Sequence, residues 1–177
     1  DLAIIGVDYV SPSCQTNFCP SISILNAGVE SIASFEILIF VNGVETSLGS
    51  WNGLLQANDK IDLLLPCIDL VAGSHTISII LRDPNGMADQ YAANNSIVLP
   101  QIIIYATPDL TLLQVDSTRC GNNGVIKVMG SLGVSPYNYT IDGGIPQSDG
   151  EFYNLTDGLH QIIEQDVNGC TDTLMVN

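Results

Sequence analysis

Apolar and polar residues alternate with a period of two along most of this chain, and no run of ~12 residues sustains the period of an amphipathic helix. The alternating runs are short and are separated by Gly, Pro, Asn and Asp, which is how strands joined by turns read. Leu2–Val10 alternates and closes at Ser11-Pro12-Ser13; Ser21–Leu25 alternates and stops at Asn26-Ala27-Gly28. Phe35–Val41 is the most continuously apolar run, suited to a central strand covered on both faces. It ends at Asn42-Gly43, a strong hairpin signal, with Val44–Ser50 as the expected partner strand. Lys60–Leu65, Thr76–Leu81 and Ser96–Tyr105 follow, broken by Pro66 and by Asp83-Pro84-Asn85-Gly86. Seven or eight strands in ~105 residues is the density of an immunoglobulin-like sandwich.

The pattern changes at Ala106-Thr107-Pro108, where a short linker is expected. Beyond it Leu110–Val115, Gly124–Met129, Tyr137–Ile141, Leu159–Gln165 and Thr173–Val176 read as five further strands, with hairpins at Asp142-Gly143-Gly144 and Asn168-Gly169. The expectation is an all-β chain of two tandem immunoglobulin-like β-sandwich domains, 1–106 and 107–177, the second small enough to gain from a covalent staple. Asp1 begins directly on strand-like sequence and the last residues are strand-like too, so the chain reads as a piece of something longer.

Charge narrows the partners. Four Lys and Arg stand against 19 Asp and Glu, a net charge of −15. So few cations cannot release the counterions that hold proteins on nucleic acid, nor draw the chain to an anionic leaflet. No apolar run approaches the ~20 residues that cross a bilayer as a helix. Neither nucleic acid nor membrane insertion is therefore expected. Charged residues form 13% of the chain, about half the usual share. A surface of Ser, Thr, Asn, Gln and Gly suits an exported protein.

Candidate chemistry is sparse. Cys14, Cys19, Cys67, Cys120 and Cys170 form no C-x-x-C pair, and His75 and His160 are the only histidines, which argues against a zinc-thiolate centre. His75 follows Gly73-Ser74 at a strand entry, and His160 sits at the corresponding Gly158-Leu159-His160-Gln161; both read as structural. No nucleophile elbow, Walker loop or dinucleotide fingerprint is present, and no catalytic residue is assigned. Asp83-Pro84-Asn85-Gly86-Met87-Ala88-Asp89 and Asp166-Val167-Asn168-Gly169-Cys170-Thr171-Asp172 both read Asp-x-Asn-Gly-x-x-Asp. Loop carboxylates and amides are calcium ligands, so Ca²⁺ on Asp83, Asn85 and Asp89 is the one cofactor expectation. Turn capping by Asp and Asn explains the same pattern without a metal. Trp51, the single Trp, is either a platform for stacking a sugar ring or a packed aromatic.

Several blocks carry a family resemblance. Cys19-Pro20-Ser21-Ile22-Ser23-Ile24-Leu25-Asn26-Ala27-Gly28, Ser50-Trp51-Asn52-Gly53-Leu54-Leu55, Leu70-Val71-Ala72-Gly73-Ser74-His75-Thr76 and Asp83–Asp89 with Asn94-Asn95 resemble the CARDB-type, cell-adhesion-related immunoglobulin-like modules of bacterial surface proteins, especially those of Bacteroidetes. Cys120-Gly121-Asn122-Asn123-Gly124, Ser135-Pro136-Tyr137-Asn138-Tyr139, Asn154-Leu155-Thr156-Asp157-Gly158 and Asp166–Cys170 are similar to the SprB-type repeat of gliding and adhesion proteins. Set on such sandwiches, Cys120 and Cys170 would be bridged across the second domain. Cys19 and Cys67 would face each other on the second and fifth strands of the first, with Cys14–Cys67 and Cys14–Cys19 as alternatives.

The resemblance implies a non-enzymatic, extracellular structural or adhesion module: a stalk or filament segment of a larger secreted, cell-surface protein, exported by the type IX route. Its partners would be other modules of the same protein, neighbouring chains in self-assembly, or a surface glycan or protein. The alternative is a glycan- or protein-binding accessory module of a secreted hydrolase.

Overall fold

The computed structural model describes residues 1–116 and 123–177. These fall into two compact units, Asp1–Ile104 and Tyr105–Asn177. The first contains β1 (Leu2–Asp8), β2 (Asn17–Phe18), β3 (Ser21–Asn26), β4 (Ile32–Val41), β5 (Val44–Leu55), β6 (Lys60–Leu64), β7 (Ile68–Asp69), β8 (Gly73–Arg82) and β9 (Ser96–Ile104). The second contains β10 (Pro108–Asp116), β11 (Gly124–Leu132), β12 (Asn138–Ile141), β13 (Glu151–Leu155), β14 (His160–Gln165) and β15 (Thr171–Val176).

In the first unit a β1-β3-β6 sheet faces a β5-β4-β8-β9 sheet, with β2 and β7 forming a short ribbon. In the second, β10-β11-β13 faces β12-β14-β15. Removing β5 and the β2–β7 ribbon from the first unit leaves the strand order and the pairing of the second. The two units are thus one immunoglobulin-like topology in a longer and a shorter version, and every named strand pair is antiparallel.

Alternation decides which side chains face inward. Ile22 and Ile24 on β3, Phe35, Ile37 and Ile39 on β4, and Ile77, Ile79 and Leu81 on β8 form the core of the first unit. Each such side chain removed from water is worth roughly 1.5–3 kcal/mol. Leu38 lies on the other face of β4 yet is only 4% exposed, between cross-strand neighbours Leu48 and Ile80. This is why the β4 sequence is apolar on both faces. The second core is smaller: Leu110, Ile126, Val128, Tyr139, Phe152, Ile162 and Val176.

Three features differ from the sequence expectation. The β5 strand runs through Trp51-Asn52-Gly53-Leu54 to Leu55, because register shifts in its pairing with β4 let the longer strand follow the sheet. Among the described residues the second unit has six strands rather than five, since Glu151–Leu155 pairs with β11 and buries Phe152. The run Glu-Phe-Tyr-Asn-Leu is short and mixes an inward Phe152 and partly buried Leu155 with an exposed Tyr153, so it shows no clear alternation. The two-residue strands β2 and β7 were equally invisible for lack of length.

Those two short strands sit beside a covalent link. Phe18 pairs with Ile68 and Ser21 with Leu64, so residues 19 and 67 are brought together between two ladders. Cys19 and Cys67 are joined by a disulfide, with Cα atoms 4.2 Å apart. Cys170 is buried, and Cys120, its expected partner, lies outside the described residues. The Cys19–Cys67 bridge closes a loop of sequence separation 48, which in the loop-entropy estimate stabilises the fold by about 4 kcal/mol. Replacing both residues by Ser is therefore expected to lower the unfolding free energy of the first unit by that order. Urea titration in oxidising buffer checks this, and an unchanged midpoint would show that the bridge adds nothing to the paired strands.

Candidate functional site

The most specific polar arrangement is a histidine clasp that occurs once in each unit. In the first, Asn42 closes β4 with a positive φ of 51°. Its backbone N–H donates to the Thr76 carbonyl at 2.8 Å. Its Oδ1 accepts from the Thr76 N–H at 2.9 Å, and its Nδ2 meets His75 Nδ1 at 3.3 Å. The other ring nitrogen, Nε2, donates to the Val71 carbonyl at 2.8 Å. One ring thereby ties the tip of the β4–β5 hairpin to the turn that feeds β8.

The second unit repeats this atom for atom with one substitution. Asp142, at φ 49°, donates its N–H to the Gln161 carbonyl at 2.8 Å. Its Oδ1 accepts from the Gln161 N–H at 2.9 Å, and its Oδ2 lies 2.7 Å from His160 Nδ1. His160 Nε2 donates to the Thr156 carbonyl at 2.8 Å. The preceding turns match too, Gly73 and Gly158 adopting φ of 141° and 132°, which only glycine takes without strain. His75 and His160 are buried and committed to these contacts. Sequence reading singled out both histidines but not Asn42 or Asp142. The available signal was an Asn-Gly or Asp-Gly hairpin upstream of Gly-x-His in each half.

A second arrangement lies four residues along the same inward face of β14. Glu164 is 0% exposed, and neither carboxylate oxygen has a hydrogen-bond partner among the described residues. It occupies the space of a missing side chain: a Cβ on Gly130 would fall 1.4 Å from Oε1. Burial, reinforced by the Asp172 carboxylate, pushes the Glu164 acid up to about 7; the Tyr139 hydroxyl opposes this, while Asp109 and Asp166 add to it. Tyr139 itself accepts the Gly130 N–H at 3.0 Å. Glu164 is accordingly a neutral carboxylic acid over much of the acidic range, packed against backbone.

The calcium candidates are placed apart in their bonding. Asp83 lies 3.4 Å from Arg82. Asn85 Oδ1 accepts from the Ala33 N–H at 2.6 Å, and its Nδ2 donates to the Ser31 carbonyl. Asp89 accepts from the Leu2 and Tyr91 N–H groups and from the Asn95 amide. Burial alone would push the Asp89 acid up, but those three donors outweigh it and hold it below its ordinary value. In the equivalent loop Asp166 accepts from the Asn168, Cys170 and Val134 N–H groups. Both loops join corresponding strands, β8 to β9 and β14 to β15. Among the described residues no group of three His, Cys, Asp or Glu side chains is placed to hold a metal ion. Trp51 stacks on Phe35, ring centroids 5.0 Å apart and planes 18° from parallel. It also lines a cleft of about 260 Å³ with Ile37, Ile39, Ser50, Leu63 and Leu65.

Glu164 makes the second unit pH-sensitive. Its folded value of about 7 lies above the ordinary 4.5, so the folded state binds the extra proton between these values and stability falls as pH rises through that window. The full effect is on the order of 3 kcal/mol. Glu164→Gln is expected to remove most of the decline in melting temperature between pH 5 and pH 8, and an unaltered slope would show that the carboxyl is ionised inside the fold.

No protein-family model matches the chain, and no curated protein matches it significantly. Among solved structures, the C-terminal 282-residue fragment of intimin, in complex with the intimin-binding domain of the translocated intimin receptor, covers 98% of this chain with a TM-score of 0.50 and 12% identity; this chain spans 63% of that fragment. The CARDB domain of the PF1109 protein from Pyrococcus furiosus, in complex with di-metal ions, covers 59% of this chain and 87% of its own at a TM-score of 0.47 and 14% identity. HBP35 of Porphyromonas gingivalis covers 98% of this chain and 63% of its own at 0.36 and 12%. The intimin likeness is one of fold: the chain is all-β and built of immunoglobulin-like sandwiches.

Proposed function

We propose that this chain is a non-enzymatic extracellular module, a stalk or filament segment of a larger secreted bacterial surface protein. The observation that carries the reading is the repetition of one strand topology and one histidine clasp in consecutive units. A repeated scaffold whose polar groups are spent on fixing its own hairpins suits a spacer that presents or forms an adhesive surface. The solvent-exposed Cys19–Cys67 bridge supports an oxidising compartment, where such bridges persist. The charge of −15 supports a chain that stays apart from its copies unless assembly supplies a compensating contact. Export by the type IX route and contact with neighbouring modules belong to the same reading.

Electron microscopy of the secreted parent protein tests it. Rods or filaments with a repeat set by such modules are expected. A compact particle with hydrolytic turnover, carried by a catalytic domain joined to this chain, would favour an accessory role instead.

One observation favours a second reading, that of a glycan-binding module. Trp51 borders an open cleft, and aromatic rings beside such clefts stack sugar rings. Binding on a glycan array that is lost in Trp51→Ala, with the melting temperature kept, would establish it; absence of binding by the intact chain would remove it.

A further inference from the structure

We infer that the two clasps are one device held in two protonation states, neutral in the first unit and cationic in the second, so that a rise in pH loosens the clasp of the second unit.

Donors and acceptors are paired differently around the two rings. In the first unit Asn42 Oδ1 is occupied by the Thr76 N–H, which places the amide nitrogen against His75 Nδ1. An amide nitrogen only donates, so Nδ1 accepts and carries no proton. Nε2 faces the Val71 carbonyl and must donate. His75 is thus the neutral Nε2–H tautomer, with every contact satisfied. In the second unit the amide nitrogen is replaced by a carboxylate oxygen. His160 Nδ1 now faces Asp142 Oδ2 and Nε2 faces the Thr156 carbonyl, two acceptors that cannot donate. Only an imidazolium, with a proton on each nitrogen, satisfies both. A neutral His160 must surrender one contact, either that to Asp142 or that to the Thr156 carbonyl.

The electrostatics agree in sign. The Asp142 carboxylate, and after it the Thr156 carbonyl, raise His160 above its ordinary 6.5, while His160 and then the Gln161 N–H hold Asp142 below its ordinary 3.8. The contribution of His160 is complete below 6.5 and is lost as pH rises through the raised value. That of Asp142 is complete above 3.8 and is lost as pH falls through the lowered value. The clasp is therefore at full strength between these ordinary values and loosens on the alkaline side. Among the described residues, the other charged side chains that line the cavity of about 300 Å³ bordered by His160 are Asp116 of β10 and Asp157 of the turn before β14, both of the same sign as Asp142. From β11 and β15 that cavity receives Gly124, Val125, Ile126 and Val176, which carry no charge.

The chain has two histidines, so imidazole ¹⁵N–¹H spectra of the full ¹⁵N-labelled chain resolve the whole device. At pH 6.5 the native spectrum is expected to show His160 predominantly protonated on both ring nitrogens and His75 predominantly on Nε2 only. Raising the pH should remove one His160 ring N–H and leave the His75 signal in place. Asp142→Asn should give His160 the pattern of His75, and Asn42→Asp should give His75 the pattern of His160. A His160 that is singly protonated at pH 6.5 in the native chain overturns the inference without recourse to variants. So does a His160 pattern unmoved by Asp142→Asn.

Discussion

The structure hangs on the antiparallel pairing of one central strand pair in each unit, β4 with β8 and β12 with β14, held in a single register. A slip of one residue would turn every inward side chain of the pair to the outside, exchanging Ile77 and Ile79 for Ser78 and Ile80 in the first unit, and Ile162 for Gln161 and Ile163 in the second. The clasp sits where that register is set. A hairpin residue with positive φ bonds both backbone groups of the residue opposite it, and a buried histidine anchors its side chain. Alternation supplies the burial energy, and the clasp ties the residue that closes β4 or β12 to the residue opposite it on β8 or β14.

This division of labour explains what could be read from the chain before its structure. Strands with strong alternation or apolar runs, such as β3, β4 and β8, announce themselves because burial on one or both faces is written residue by residue. The β13 strand does not, since Phe152 is its one fully buried side chain and Leu155 is only partly buried against the same core. The clasp was half legible. Asn42-Gly43 reads as a turn, and Gly-x-His as a strand entry, but their meeting across the sheet depends on register, which no local pattern states. Glu164 was not legible at all: an alternating His-Gln-Ile-Ile-Glu-Gln strand gives no sign that its last inward residue fills the space above Gly130.

The acidity acquires a structural meaning. Asp59 caps the Gln56 N–H, Asp89 three donors around the chain start, Asp142 a hairpin and Asp166 the turn it begins. Carboxylates placed at turns satisfy backbone N–H groups that strands leave over. Part of the negative charge is therefore turn chemistry. Glu164 and His160 stand apart from this set. Both lie on the inward face of β14 and both hold a proton more firmly than in water, so the stability they contribute to the second unit falls as pH rises.

On this reading the clasp, present in both units, holds the strand register. Native-state hydrogen exchange of the Thr76 and Gln161 amides reaches it most directly, because both residues are exposed at the surface and owe their protection to Asn42 and Asp142. Slow exchange is expected at both positions, with the protection of Gln161, corrected for intrinsic rate, declining as pH rises past neutrality and that of Thr76 holding. Rapid exchange at either amide, or an equal pH response at both, would contradict it.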